Sequence, residues 1–320
     1  MTGAGGTIGV ETVEAARETV AGRVRRTPLM RSASLGEELG FDLAFKVEAF
    51  QRTGSFKVRG VANRLAGLAP EERARGVVTL SAGNHAQALA WAASAEGIAS
   101  VVVMPEGAVR GKVEATRAYG GEVVLTGNGL LETALEIQRQ RDLVLVHPFD
   151  DPDVIAGQGT VGLEIVEDEP GVDAVFVPVG GGGLIAGIST AVKAKRPEAR
   201  VVGVEPDGAA AMSESLAAGE PVRLETLDTV ADGLAAPFAG RHTLAHVRER
   251  VDEMVVVSDE EILAAMRLLL ERLKVVAEPA AAASLAGFLG GAVELPPGSS
   301  VVCVVSGGNV DADRLGELLA

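Results

Sequence analysis

Short runs built almost wholly of apolar residues alternate with helical patterns along this chain, and no other feature restricts its fold as strongly. The runs fall at 43–47, 76–80, 100–104, 122–125 and 143–147, then at 174–179, 201–204, 254–257 and 300–305. A strand without a polar face needs cover on both sides, and parallel sheets flanked by helices supply it. Helical spacing fills the intervals at 55–68, 84–95, 109–119 and 130–141, then at 152–167, 184–195, 209–217, 259–273 and 280–289. A further amphipathic helix is expected over 10–24, ending before Thr27-Pro28. The class is therefore α/β, with two doubly wound domains of mostly parallel sheet rather than one barrel. Residues 1–46 and 148–320 are expected to form the larger domain, and 47–147 a smaller one inserted into it. Residues 220–240 lack a period and read as a long connection.

Composition narrows the function classes. With 320 residues, 47% of them hydrophobic, the chain can bury a large core. A formal net charge of −15 argues against nucleic acid or an anionic membrane surface as partner. No apolar run approaches the ~20 residues that span a bilayer. The single cysteine, Cys303, lies in an apolar run and fits a reducing compartment. The small, uncharged start of the chain does not resemble a signal peptide. These features together predict a soluble cytoplasmic protein.

Four turns that follow strands carry the chemistry. In the first, Arg52-Thr53-Gly54-Ser55-Phe56-Lys57, a lysine opens a helix, where the positive end of the macrodipole disfavours its charge. That placement favours an amine nucleophile or base, against the plainer alternative of a solvated helix-start lysine. Lysine is scarce here, the others being Lys46, Lys112, Lys193, Lys195 and Lys274. The second turn, Ser81-Ala82-Gly83-Asn84-His85, leaves helix N–H groups free for a carboxylate, or else holds a helix cap in Ser81 or Asn84. In the third, Gly180, Gly181, Gly182 and Gly183 precede Leu184, and four consecutive glycines cost enough chain entropy to imply close backbone approach to a phosphate. No Lys-Ser or Lys-Thr follows, so the run is not a Walker loop, and it lacks the Gly-x-Gly-x-x-Gly spacing of dinucleotide sites. The fourth turn, Ser306-Gly307-Gly308-Asn309, taken alone reads as a strand-end turn with a hydroxyl.

Together the four turns resemble the pyridoxal-phosphate enzymes of fold type II, the tryptophan-synthase-β-like group. Within it, Thr-Gly-Ser-Phe-Lys-Val-Arg-Gly, Ser-Ala-Gly-Asn-His-Ala-Gln and His147-Pro148-Phe149 are most similar to the threonine/serine dehydratases. The resemblance runs in order from Thr27-Pro28-Leu29 to Asn309. It implies pyridoxal 5′-phosphate in the interdomain crevice, bonded to Lys57, with Phe56 beside the ring and Asn84 on the ring 3′-oxygen. It places Gly180, Gly181, Gly182, Gly183 and Leu184 on the phosphate and Ser306 at the pyridine nitrogen. Ser81, Gly83, Asn84 and His85 would receive the substrate carboxylate. Asp232-Gly233 and Glu278-Pro279 match motifs near the coenzyme. The implied reaction is elimination of water from L-threonine or L-serine to a 2-oxo acid and ammonia, by a homo-oligomer.

Departures from related patterns sharpen this reading. Serine racemases of the eukaryotic type carry a second serine at the position of Ala82 and an arginine near Leu131, so racemisation should be weak. Glu205 matches one ligand of the divalent-metal site of related enzymes, but Ala211 stands where a second acid is needed, and no metal is assigned. His242 and His246 lie one helical turn apart and are expected at exposed positions rather than on a metal. The rival readings are dehydration of 3-hydroxyaspartate or phenylserine, serine racemisation, and a non-catalytic phosphate- or nucleotide-binding protein.

Overall fold

The computed structural model describes residues 6–127 and 129–320. Ten strands form two sheets: β1 Leu29–Arg31, β2 Asp42–Val47, β3 Val77–Leu80, β4 Ser100–Pro105, β5 Glu122–Thr126, β6 Val144–Leu145, β7 Ala174–Pro178, β8 Arg200–Pro206, β9 Glu253–Val257 and β10 Ser300–Val305. The larger sheet has the order β1-β2-β10-β7-β8-β9 and the smaller β5-β4-β3-β6. Every pairing between these strands is parallel except β1 with β2. All strands of the smaller sheet fall between β2 and β7 in sequence, so the chain leaves the larger sheet once and returns to it.

The apolar strands behave as two-sided cover requires. Phe45, Phe176, Val301, Cys303 and Val305 pack on one face of the larger sheet, against Leu285 and Ala286 of the helix Pro279–Leu289. Their neighbours Ala44, Val175, Val177, Val302 and Val304 point to the other face, towards Ile185 and Ile188 of the helix Gly183–Lys195. Side chains alternating along a strand explain why neither register of these runs could be polar.

Several boundaries differ from the sequence expectation for identifiable reasons. The first helix stops at Val20, because Gly22 turns the chain with φ of 75°. The run at 143–147 pairs only over Val144–Leu145. The helix from Asp259 ends at Leu268 in a π turn, Leu269–Leu273, and Lys274 then adopts φ of 60°. Strand β1 and the helices Ala33–Leu39, Pro70–Arg75 and Arg241–Arg250 carry too weak a periodic signal to be expected from sequence, and the helix Ala312–Leu319, which spaces Leu315, Leu318 and Leu319 on one face, is only two turns long. Residues 220–240 do form a long connection, with one turn of 3-10 helix at Asp232–Leu234.

The helix Lys57–Ala66 is anchored by a buried charge cluster. The Arg59 guanidinium grips Glu48 at 2.8 Å through two nitrogens and Glu164 at 2.7 and 2.9 Å. Lys46 pairs with Glu164 at 2.7 Å and donates to the Thr27 carbonyl at 2.6 Å. Lys46, Glu48 and Arg59 are each 0% exposed, so two cations and two carboxylates balance away from water. The cluster joins β2, the Lys57 helix and the helix Pro152–Asp168.

Candidate active site

A cavity of about 620 Å³ opens between the two sheets. The four turns that line it follow β2, β3, β7 and β10, at the carboxyl ends of parallel strands where α/β folds hold ligands. Phe56, Lys57, Ser81, Gly83, Asn84, His85, the glycines at 180–183, Leu184 and Ser306 all reach the cavity wall. Among the described residues, then, the structure brings every sequence-derived site residue to one place. Asp232, Gly233 and Glu278 join them.

Lys57 is the first residue of its helix, and its Nζ donates to the Pro148 carbonyl at 2.8 Å. Burial pushes the amine down to about 8, while the Glu278 carboxyl opposes the shift. Desolvation is thus the larger of these two effects. The sign is direct: a lowered pKa means that the neutral, reactive amine predominates above about pH 8 rather than above 10.5. Acylation of Lys57 in coenzyme-free protein should therefore climb with pH, reach half its plateau near 8 and level off above it, read by peptide mass spectrometry. A profile still climbing at pH 10 would show an ordinary solvated lysine.

The turn at 81–85 does not cap its helix. Ser81 Oγ accepts the Gly83 N–H at 3.2 Å, and the helix Asn84–Ala95 has no side-chain cap. Its first-turn N–H groups thus lack protein acceptors, as an anion site requires. His85 Nε2 meets the Val146 carbonyl at 3.2 Å, and burial holds its pKa down at about 3. Its Nδ1 is buried with no partner. His147 Nδ1 accepts from the Asp150 N–H at 2.9 Å, and burial keeps that ring neutral as well, near 4.

The glycine run is glycine because protein packs against its outer side. A Cβ on Gly181 would meet the Phe149 ring at 2.4 Å. Gly182 adopts φ of 90°, and a Cβ there would lie 2.4 Å from Met212 Cε. Thr243 Oγ1 donates to the Gly181 carbonyl at 2.8 Å and fixes the turn. What remains towards the cavity is backbone at a helix N-terminus. Ser306 is buried beside it, its carbonyl accepting the Phe56 N–H at 3.1 Å.

Arg223, Phe238 and Lys112 line the cavity without a sequence signal. Arg223 stacks on Phe238, whose ring meets Phe149 edge-on, and Lys112 pairs with Asp232 at the cavity wall. Arg223 and Phe238 lie on a connection without period, and Lys112 finds its partner far along the chain, so no local pattern marks them. Ala82 and Leu131 also line the cavity.

The two positions considered for a metal hydrogen-bond within the chain. Glu205 accepts from the N–H groups of Met212 and Ser213 at 2.7 and 2.8 Å and from the Ser213 hydroxyl at 2.6 Å, which commits both oxygens to one helix start. His246 is 0% exposed, contrary to expectation. Its Nδ1 donates to the His242 carbonyl at 2.7 Å and its Nε2 accepts the Ile8 N–H at 2.9 Å. Buried Leu244 and Val247 flank it, and they could have marked that helix face as inward.

An amine of lowered pKa, a backbone anion cradle and an orphaned imidazole nitrogen fit one coenzyme chemistry. The family described as pyridoxal-phosphate dependent enzyme matches residues 20–307, and the chain belongs to it. The L-threonine ammonia-lyase of Thermotoga maritima is 46% identical over 315 residues, covering 98% of this chain and 78% of that protein. A threonine deaminase from T.th. superposes with a TM-score of 0.89 at 43% identity, covering 95% of this chain and 99% of the other. Maize serine racemase superposes with a TM-score of 0.93 at 39% identity, covering 98% and 97%. The two-sheet α/β fold read from the sequence is thus that of a known enzyme group. Among the described residues no helix is long and apolar enough to cross a membrane.

Proposed function

We propose that this chain is a pyridoxal-phosphate-dependent ammonia-lyase that removes water from L-threonine, and from L-serine, to give a 2-oxo acid and ammonia. The observation that carries this reading is Lys57, an amine of lowered pKa facing a backbone anion cradle across one cavity. When bound, the coenzyme supplies an electron sink that acidifies the substrate Cα–H. Lys57 holds the coenzyme before substrate arrives and then, freed, takes the Cα proton as general base. The N–H groups at 81–85, with Ser81, Gly83, Asn84 and His85, receive the substrate carboxylate. The backbone at 180–184 would receive the phosphate, with Phe56 beside the ring and Asn84 as the donor to its 3′-oxygen. As the Cα proton goes to Lys57, its electron pair forms the Cα–Cβ double bond and the Cβ–O bond breaks; the hydroxyl leaves as water with one proton, which balances the proton that Lys57 took. The free enamine then hydrolyses to the 2-oxo acid and ammonia.

Ser306 explains why elimination is favoured over reactions through long-lived carbanions. Its neutral hydroxyl at the ring nitrogen cannot stabilise a protonated pyridine as a carboxylate would. Ala82 bears on racemisation, which needs a proton donor on the face opposite Lys57, and a methyl group offers none. A panel of L-threonine, L-serine, 3-hydroxyaspartate and phenylserine, assayed for 2-oxo acid, tests the substrate reading. The first two should lead, with little D-amino acid on chiral chromatography. Ala82→Ser should raise the racemisation-to-elimination ratio, by less than the roughly 10²–10⁴-fold of a fully tuned acid–base group. Abundant D-serine from the unaltered enzyme would contradict the reading and favour the racemase that its fold also resembles.

The reading includes a smaller domain over 47–147, supported by the placement of β3 to β6 within it. It also includes a cytoplasmic homo-oligomer. Light scattering tests the self-association, and the lone buried Cys303 supports a reducing compartment.

A further inference from the structure

Three residues far apart in sequence close a hydrogen-bonded ring behind Asn84. Asn309 Nδ2 donates to the Thr53 carbonyl at 2.7 Å and to Asn84 Oδ1 at 2.8 Å. Asn84 Nδ2 donates to Glu278 Oε1 at 2.6 Å. The Asn309 backbone N–H also favours the charged form of the Glu278 carboxyl, which brings the three residues together. A carbonyl oxygen can only accept, so Thr53 dictates which end of the Asn309 amide is NH2. That choice puts an NH2 on Asn84 Oδ1, and Asn84 must then turn its own NH2 to Glu278. One proton of that NH2 is used there and the other is left over.

The ring is rigid at its origin. Thr53 has φ of 61°, an unfavourable conformation for a β-branched residue. Gly54 has φ of 75°, and a Cβ on it would lie 2.2 Å from Asn309 Oδ1. A Cβ on Gly307 would lie 2.4 Å from Glu278 Oε1. The backbone thus closes on both members of the ring and leaves their side chains little freedom.

We propose that Asn309 and Glu278 are positioning residues that fix the polarity of the Asn84 amide, so that the cavity is offered a hydrogen-bond donor and never the carbonyl. A neutral asparagine free to flip would present either end to an anionic ligand oxygen, and one of those ends repels it. The proposal rests on the coenzyme reading above for the identity of that oxygen. The polarity itself follows from Thr53, Asn309 and Glu278 alone.

A double-mutant cycle on the holoenzyme separates positioning from general structural support. Asn309→Ala should weaken coenzyme binding and lower kcat, each by about tenfold, the scale of one lost directed hydrogen bond. In an Asn84→Ala background the same change should alter neither by more than about twofold. Equal losses in both backgrounds would overturn the proposal, because Asn309 would then act on something other than Asn84. Asn309→Asp keeps the side-chain volume but puts an acceptor against Asn84 Oδ1, so it should lose at least as much as Asn309→Ala. Wild-type behaviour of Asn309→Asp would equally overturn it. In the protein before loading, one of the two Asn84 side-chain NH2 protons, the one on Glu278, should be protected from exchange, and Asn309→Ala, which frees the amide to flip, should reduce that protection. If the wild type takes up no coenzyme but this protection behaves as expected, the positioning stands and the enzyme reading falls.

Discussion

Lys57→Ala should cut 2-oxo acid release from L-threonine by at least about 10³-fold while leaving the protein folded. The alanine removes both the amine that bonds the coenzyme and the general base, and each role alone is worth orders of magnitude. The fold should survive because the side chain makes one hydrogen bond, to the Pro148 carbonyl, and removing a half-buried amine leaves no carboxylate unpaired. Borohydride reduction of the wild-type holoenzyme, followed by peptide mass mapping, should place the coenzyme on Lys57. The other lysines near the cleft have different duties: Lys46 is paired with Glu164 in the buried cluster, and Lys112 with Asp232 at the cavity wall. Coenzyme found on either of them, or undiminished turnover by Lys57→Ala, would contradict the assignment.

The second large effect concerns folding rather than chemistry. Arg59→Met should destabilise the protein by roughly 3–5 kcal/mol, because Glu48 and Glu164 would stay buried with only Lys46 to balance them. The double variant Arg59→Met/Glu48→Met should lose less than Arg59→Met alone. It leaves a neutral Lys46–Glu164 pair instead of a surplus charge. Denaturant titrations of both variants measure the difference. A loss below about 1 kcal/mol for Arg59→Met would mean that water reaches the cluster once the guanidinium is gone.

Much of the site was legible because its chemistry sits in contiguous turns. The glycine run and the Ser-Phe-Lys stretch each announce a demand that only a few residue types meet, and each follows an apolar strand whose direction is set by the parallel sheet. What escaped was either too short to show a period or assembled across long sequence gaps. Strand β1 has three residues, none of them buried, and the helix Pro70–Arg75 buries none either, so neither shows an apolar face. The ring behind Asn84 joins residues 194 and 225 positions apart, a relation that no local pattern encodes. The burial that lowers the Lys57 pKa escapes the sequence for a similar reason: a helix start can be seen there, whereas the approach of distant Pro148 to the amine cannot.

What the loaded enzyme makes from L-threonine is the most direct test of the proposed reaction. Dehydration predicts 2-oxobutanoate and ammonia in equal amounts, with no oxidant consumed, at a rate that follows coenzyme occupancy. A loaded protein that releases neither product, or that returns mainly epimerised amino acid, would contradict it.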